Sequence, residues 1–421
     1  MTTLPANPEK PWKLEVVAGG YRVTWLDAQV QVMAERLKQE GDGLKADVAI
    51  YYTGAASPGL VYKDRMNLAS GQARRSLRKE MMERLPEVED WYGVIQRSCV
   101  EIWEEWRRGE PGIILKGYIA EEGIRWRLEP LLQEGQATVL FGDGGTGKSY
   151  LVAYFAYLIQ EGIVTRHMAP DPGNVLYLDY EATADELWRR FRALRRGELG
   201  EGDVPRVLYR YCSQPLAYEV GEIQRMVTEH DISCLVVDSA GPACGGNPAE
   251  PQTAIAYFTA LRSLKVTSLT VAHQPKHGDP RHPFGSVFWY NLPRSGYQVR
   301  RSTESEPDVL DIALIHRKSN NGRLLKPMGF KFRFMEGGEI KVEHQAVSTL
   351  VDLTDVLSMT DRVTEALRVG QKTIQELAEE TGITANLTRA VLNRYAGKRF
   401  LRLGTNPGKP TVWGLLSPES L

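Results

Sequence analysis

Ala137-Thr138-Val139-Leu140-Phe141-Gly142-Asp143-Gly144-Gly145-Thr146-Gly147-Lys148-Ser149-Tyr150 is the stretch on which the fold of this chain turns. Residues 137–141 are an apolar run of strand character. The run breaks at Gly142, and helix-forming residues follow from Lys148. Gly142 to Ser149 fit the pattern GxxxxGK[ST], in which glycines let the backbone turn so that several N–H groups point at one phosphate. The helix N-terminus beyond adds partial positive charge. The spacing therefore predicts a site for ATP lined by Gly142, Asp143, Gly144, Gly145, Thr146, Gly147, Lys148, Ser149 and Tyr150. Lys148 would reach the β- and γ-phosphates, and Ser149 would hold Mg²⁺.

Downstream of this loop the chain alternates short apolar runs with helical segments. Runs at 175–179, 207–211, 234–238 and 268–272 are bounded by helices, the pattern of a parallel sheet buried on both faces. After Tyr297 the runs come closer together, at 297–301, 309–315, 329–334 and 340–343, and are expected to add antiparallel strands to the same sheet. The run Cys234-Leu235-Val236-Val237-Asp238 ends in an acid, and a carboxylate at that strand end can hold the water shell of Mg²⁺. Asp238 joins Ser149 as a candidate metal residue.

Leu178-Asp179-Tyr180-Glu181 closes the strand after the phosphate-loop helix. With this motif the sequence resembles the RecA-like ATPases, including the DnaB-type and plasmid RepA-type hexameric helicases of phages, plasmids and mobile elements. The resemblance runs over roughly residues 116–345, a little over half the chain. It implies that an acid just after the second strand polarises the attacking water; Glu181 matches that position, with Asp179 and Glu186 as competitors. It also implies that His273 or Gln274, in Val271-Ala272-His273-Gln274, senses the γ-phosphate. Pro283-Phe284-Gly285-Ser286-Val287-Phe288-Trp289 and Arg294 look like the Gly-Ser loop and following helix of RepA-like ATPases. His316-Arg317-Lys318-Ser319-Asn320-Asn321-Gly322 is similar to the DnaB-type Lys-x-Arg-Asn-Gly loop, which inserts a cation into a neighbour's site. Asn320 stands where that pattern has arginine. Arg317, Lys318, Arg323 and Arg294 are all open as the trans cation.

The same resemblance implies nucleic-acid contacts. The segment 273–282 is rich in Gly, Pro and basic residues and is expected to be an exposed mobile loop; in a ring, Lys276 and Arg281 would grip the backbone of single-stranded DNA in a central pore. Residues 239–252 would form a second pore loop, although they contain no basic residue. From Thr360 onward the chain is expected to form a winged helix. Thr373-Ile374-Gln375-Glu376 is a capping box, Gly382 turns the chain, and Thr384 caps a third helix. Leu387, Val391 and Tyr395 would lie on its buried face and Asn386, Arg389 and Asn393 on its groove-facing side. Lys409 would sit at the tip of a terminal hairpin. Both duplex DNA and protein are open as partners of this unit.

The expected organisation is a small N-terminal α+β domain (1–115), a RecA-like α/β ATPase domain (116–345), a linker (346–357) and a winged helix (358–421). In the N-terminal part the sequence predicts a hairpin over 16–25, a helix over 28–39, strands at 47–53 and 60–62, and helices over 71–85 and 90–108. The role of this part, a collar or primase-docking unit included, has no motif behind it.

Bulk composition fits a globular chain: 421 residues, 42% hydrophobic, 25% charged, formal net charge −1. That balance does not mark a nucleic-acid binder outright, since clustering of charge decides. Cys99, Cys212, Cys234 and Cys244 form no CxxC or Cys/His pair, so zinc is not expected, and scattered thiols suit a reducing compartment. No apolar run approaches the ~20 residues of a membrane helix, and residues 1–13 lack the apolar core of a secretory signal. A cytoplasmic protein without a membrane partner is expected. Its expected activity is that of an ATP-driven, ring-forming DNA helicase or translocase: a homo-oligomer and, by its resemblance, a hexamer. The alternatives are a RecA-like regulatory or recombination-mediator ATPase that binds DNA without unwinding, and a nucleotide switch that docks protein.

Overall fold

The computed structural model describes residues 10–17, 19–54, 58–109, 112, 115, 123–277, 279–404 and 410–416. The chain divides into two compact units, Met1–Arg125 with Gln214–Ile232, and Trp126–Ser213 with Ser233–Leu421.

The first unit is a five-stranded antiparallel sheet in the order β1-β2-β3-β4-β5. The strands are β1 (Trp12–Val17), β2 (Gly20–Trp25), β3 (Val30–Glu40), β4 (Gly43–Tyr52) and β5 (Gly59–Asn67). Helices α1 (Gly71–Arg84) and α2 (Trp91–Arg108) follow. The helix expected over 28–39 is strand β3. Val30, Val32 and Ala34 are buried while Gln31 and Met33 are less so, a period of two that β-branched residues favour between two pairing neighbours. Val23, Val32, Ile50, Met81, Trp91 and Ile102 share one core. A buried bond from Trp25 Nε1 to Ser98 Oγ, 3.0 Å, ties the sheet to α2.

The second unit opens with β6 (Trp126–Glu129), β7 (Leu132–Gln133) and β8 (Ala137–Gly142), then α3 (Lys148–Glu161), β9 (Ala169–Pro170), β10 (Asn174–Asp179), α4 (Ala184–Leu199) and β11 (Leu208–Tyr211). Next along the chain is α5 (Leu216–Glu229), which clusters with the first unit. Its Leu216 and Ile223 are fully buried, and Arg225 reaches Glu35 at 3.5 Å. A Cβ on Gly19, whose φ is +78°, would meet Gly221 Cα at 2.8 Å. The chain then returns through β12 (Ile232–Asp238), α6 (Ala240–Ala243), α7 (Pro251–Ser263), β13 (Thr267–His273), α8 (Phe288–Asn291), β14 (Ser295–Arg301), β15 (Val309–Ser319), β16 (Met328–Phe334) and β17 (Ile340–Gln345).

These strands build a nine-stranded sheet in the order β11-β10-β12-β13-β8-β14-β15-β16-β17. β12, β13, β8 and β14 run parallel, as do β10 and β11. β15, β16 and β17 are antiparallel additions beyond β14, as the strand spacing predicts. Helix α3 is apolar around its whole circumference, with Leu151, Tyr154, Phe155, Tyr157 and Leu158 all buried. Such a helix belongs inside a core. It packs with Val236, Leu269, Leu310, Phe330 and Phe332, so both halves of the sheet share one core.

The segment 346–357 is a packed strap of two 3-10 turns, Val347–Thr349 and Val351–Val356. Val347, Leu350 and Leu353 bury against Ala313 and Ile315. Beyond it lie α9 (Met359–Arg368), β18 (Lys372–Thr373), α10 (Ile374–Thr381), α11 (Ala385–Arg394), β19 (Phe400–Leu403) and β20 (Val412–Leu415). Both halves of the Thr373/Glu376 capping box are formed, and Gly382 turns the chain at φ +66°. Thr384 makes no side-chain cap bond. The buried face of α11 is Thr388 and Leu392, with Val391 and Tyr395 packed beside it. Leu387 is exposed, contrary to the face expected from the sequence, because Leu392 and Thr388 hold the inward direction of the helix.

Candidate nucleotide site

The ends of the parallel strands meet at one edge of the nine-stranded sheet, where α/β folds place their ligands. β8 ends in Gly142 and α3 starts at Lys148. The loop between them needs glycine at particular points. Gly145 and Gly147 have φ +71° and +85°, and a Cβ on Gly147 would meet Leu310 Cδ2 at 2.7 Å and Ile312 Cδ1 at 2.8 Å. The loop is further set by Thr146 Oγ1 donating to the Asp143 carbonyl, 2.9 Å, and by Gly144 N–H donating to Asp143 Oδ1, 2.9 Å.

Lys148 is 6% exposed. Its ammonium donates to the carbonyls of Gly142, 3.1 Å, and Asp143, 2.6 Å. Burial pulls its pKa down, against the pull of Asp238, Asp143 and Glu181 in the other direction. Asp238, at the end of β12, accepts from Tyr177 Oη at 2.8 Å and is hydrogen-bonded to the Ser149 hydroxyl. Burial holds its carboxyl above the usual range, reinforced by the nearby charges of Glu181 and Asp179 and opposed by those two hydrogen bonds. Hard oxygen donors with mutually repelling charge are the donor set that suits Mg²⁺. Ser149 and Asp238 are the residues that would hold it.

Glu181 is brought to this place by backbone bonding. Tyr180 N–H donates to the Asp238 carbonyl, 2.8 Å, pinning the end of β10 to the end of β12. The Glu181 carboxylate accepts a hydrogen bond from Ser239 Oγ. The geometry separates the three competing acids. Asp179 is 2% exposed, and its Oδ1 caps the N–H groups of Glu181, 3.0 Å, and Ala182, 2.8 Å. Glu186 lies on the first turn of α4, in a depression with Arg189 and Ala193. Glu181 alone of the three lines the cavity of about 350 Å³ that also holds Lys148, Ser149 and Asp238.

The remaining cavity wall comes from residues that no spacing announces. Arg190, Arg301, Pro307, Val309, Leu310 and Phe334 line it. Tyr150 stands edge-on to Phe334 at 5.3 Å, with the Arg190 guanidinium 5.3 Å over its ring. Val309 pairs with Arg333, so the start of β15 and the end of β16 lie at the same sheet edge as the phosphate loop.

His273 and Gln274 part company. His273 lines the nucleotide cavity. Gln274 lines a second, arginine-bearing cleft on the outer side of the loop, and its Oε1 accepts from Gln298 Nε2 at 3.3 Å. Gln298, 3% exposed, belongs to no motif in the sequence. It also donates to the Pro280 carbonyl, 2.8 Å, and accepts from Arg317 Nε, 2.9 Å, and Nη2, 2.7 Å.

Arg317 therefore reaches back toward its own phosphate loop. Lys318 turns the other way and donates to the carbonyls of Asn291, 2.6 Å, and Pro293, 2.7 Å. Burial and then Arg294 push its ammonium down to about 8. Ser319 pairs with Ser295, and Ser295 pairs with Thr138. The loop after Ser319 thus leaves the sheet at the edge opposite the phosphate loop, roughly 13 Å away at ~3.3 Å per residue. Arg294 and Arg323 are exposed there.

Of the residues expected at nucleic acid, Lys276 is exposed, and Arg281 is paired with Asp279 at 2.7 Å, whose carboxyl it holds far below the usual range. The loop after α6 is tied to the Gly285 segment: the Pro248 carbonyl accepts from Ser286 N–H, 2.9 Å, and from Trp289 Nε1, 3.0 Å. Asn386, Arg389 and Asn393 are exposed on one side of α11, with Arg389 donating to Asn386 Oδ1 at 3.2 Å. Lys409 lies outside the described residues. All four cysteines are buried and none is in a disulfide, and burial pushes Cys99 and Cys234 up to about 12. Among the described residues there is no metal-ligating cluster of His, Cys, Asp and Glu, and no helix long and apolar enough to cross a membrane.

Residues 120–279 match the family described as AAA domain. A KaiC-like protein from the hyperthermophilic archaeon Pyrococcus horikoshii OT3 is similar in structure, at 16% identity and a TM-score of 0.37, over 52% of this chain and 93% of that one. No curated protein matches the chain. The matched segment contains the phosphate loop, Glu181, Asp238 and His273, and that match together with the site geometry supports a P-loop ATPase in this part of the chain.

Proposed function

We propose that the chain is an ATP-driven DNA translocase or helicase that works as a ring of identical subunits in the replication of a phage, plasmid or other mobile element. The observation behind this reading is the split between the two sheet edges. Lys148, Glu181, Ser149 and Asp238 converge on one cavity, while the basic loop beyond Lys318 leaves the sheet at the far edge. A cation on that loop serves a nucleotide only when it is a neighbour's.

Within one subunit, Glu181 orients and polarises a water for attack on the γ-phosphoryl group, and Ser239 fixes the carboxylate. Lys148 and the loop N–H groups hold the phosphate oxygens as charge spreads over them. Mg²⁺, when bound, neutralises phosphate charge from its place at Ser149 and Asp238. His273, in the cavity wall, responds to the γ-phosphate, and Lys276 and Arg281 on the following loop are the residues for single-stranded DNA. The three helices and terminal hairpin after 358 read as a winged helix, with Asn386, Arg389 and Asn393 for duplex DNA or a replication partner.

Strand displacement on a forked duplex, with and without ATP, tests this. ATP-dependent unwinding is expected. A second reading, a DNA-binding RecA-like ATPase without unwinding, is favoured by one observation: Arg317 and Lys318 are both engaged inside their own subunit. DNA-stimulated hydrolysis without displacement would select it, and hydrolysis indifferent to DNA would remove both.

A further inference from the structure

Beside the nucleotide cavity, on the outer side of the phosphate loop, lies a cleft of about 750 Å³. Arg281, Arg300, Arg301 and Arg317 line it together with Asp143, Asp279 and Asp355, and among the described residues no aromatic ring does. Two of the arginines are matched by carboxylates: Arg281 by Asp279, and Arg300 by Asp355 through two bonds of 2.9 and 2.7 Å. The other two are held by neutral groups. Arg317 donates to the Gln298 amide oxygen, and Arg301 to the Gly145 carbonyl at 3.5 Å. Burial disfavours the charge of Arg317, Arg281 and Arg300 repel it further, and the carboxylates of Asp279 and Asp355 offset this only in part. The cleft thus holds more positive charge than its own acids offset, on side chains already positioned by neutral acceptors. Guanidinium forks suit phosphate, and a wall without rings offers no stacking platform for bases.

Asp355 does not come from the sheet. It sits on the strap 351–356, whose Asp352 is anchored by Ser302 Oγ, 2.7 Å, and Thr303 N–H, 2.8 Å. The Asp355 side chain is 65% exposed, so its carboxylate meets Arg300 from the solvent side.

We propose that this cleft binds the phosphate backbone of single-stranded nucleic acid, and that the Asp355 carboxylate occupies the Arg300 position until a phosphate replaces it. The inference rests on the reading above that the chain grips nucleic acid, and it extends the Arg281 loop assigned there into a cleft shared with Arg300, Arg301 and Arg317. An incoming phosphodiester exchanges one carboxylate for one phosphate on Arg300 and supplies the anion that Arg317 and Arg301 lack. The bonded series Gln274–Gln298–Arg317 links the end of β13 to this cleft, which sets the bound strand one side chain away from the nucleotide cavity.

The test is fluorescence anisotropy of a labelled oligothymidylate with the full chain, titrated at several salt concentrations. Arg300→Ala/Arg317→Ala should weaken binding about tenfold or more and flatten the salt dependence by about 0.7 in slope for each phosphate no longer held. Asp355→Ala should tighten binding a few-fold, which keeps the idea testable if the double variant fails to fold. Unchanged affinity and slope in a folded double variant that still binds through other residues overturns the cleft alone. Failure of the wild-type chain to bind any oligonucleotide overturns the reading beneath it, and the cleft with it. Full release of the strand by equimolar pyrophosphate overturns the strand in favour of a small free anion.

Discussion

The parallel and antiparallel halves of the nine-stranded sheet share one core but divide the work. In the parallel half every strand points the same way, so Gly142, Asp238, His273 and the turn after Asp179 all emerge at one edge. Chemistry accumulates there because the topology gives it no other place. In the antiparallel half the direction alternates. β15 enters beside the nucleotide cavity with Val309 and Leu310, and leaves at the opposite edge with Lys318. One half builds a site, and the other joins that site's wall to the far edge of the sheet.

If the parallel half holds the chemistry, the largest loss should come from Lys148→Ala. It removes the cation at the floor of the loop, and ATP binding or turnover should disappear while circular dichroism stays native. Near-normal turnover by the folded variant would move the site elsewhere. Glu181→Gln should come next, keeping nucleotide binding and slowing hydrolysis by about a hundredfold or more. Glu186→Gln, on the first turn of α4, should change little. The reverse pattern would show that position at the sheet edge does not choose the acid.

The far edge is tested by mixing subunits. Lys148→Ala and Arg294→Ala/Arg323→Ala subunits should each be nearly inactive alone. In random mixtures about a quarter of interfaces pair an intact loop with intact arginines, given head-to-tail copies in a closed ring, so part of the activity should return. No recovery in oligomers whose mixed mass is verified would confine the far edge to structure.

The smallest effect lies in the antiparallel half. His344 packs on Phe330 and His167, each ring centroid at 4.8 Å. Burial, then His167, pushes its imidazole down to about 4, against ~6.5 in an unfolded chain. The unfolded chain takes up the proton first, so the stabilisation is complete above about pH 6.5 and is lost as pH falls toward 4. The melting temperature should drop over that window by a few degrees, and His344→Gln should flatten the drop. An unchanged pH profile in the variant would show that another group titrates.

The phosphate loop is legible in the sequence because its chemistry belongs to the backbone: glycines at fixed intervals, a lysine and a hydroxyl after them. The strand order follows from apolar runs bounded by helices. Arg190, Arg301 and Phe334 carry no such mark, since they reach the cavity only when distant strands pair. The directions of Arg317 and Lys318 are likewise invisible in sequence. Adjacent residues on a strand face opposite ways, and which carbonyls or amides wait on each side depends on the fold. The strand at Val30–Glu40 is disguised as a helix by Ala34, Leu37 and the charged residues at its end, where its neighbours decide the matter.

Helix α5 adds a temporal consequence. The N-terminal unit is interrupted in the gene: its sheet and first two helices are translated early, but its last helix is encoded between β11 and β12. At about 5–20 residues per second the ribosome takes on the order of ten seconds to bridge that gap. For that interval the nascent unit lacks Leu216 and Ile223, and it is finished only when the ATPase sheet is half synthesised. Translation speed through the first half of the ATPase segment is thereby part of how the N-terminal unit folds.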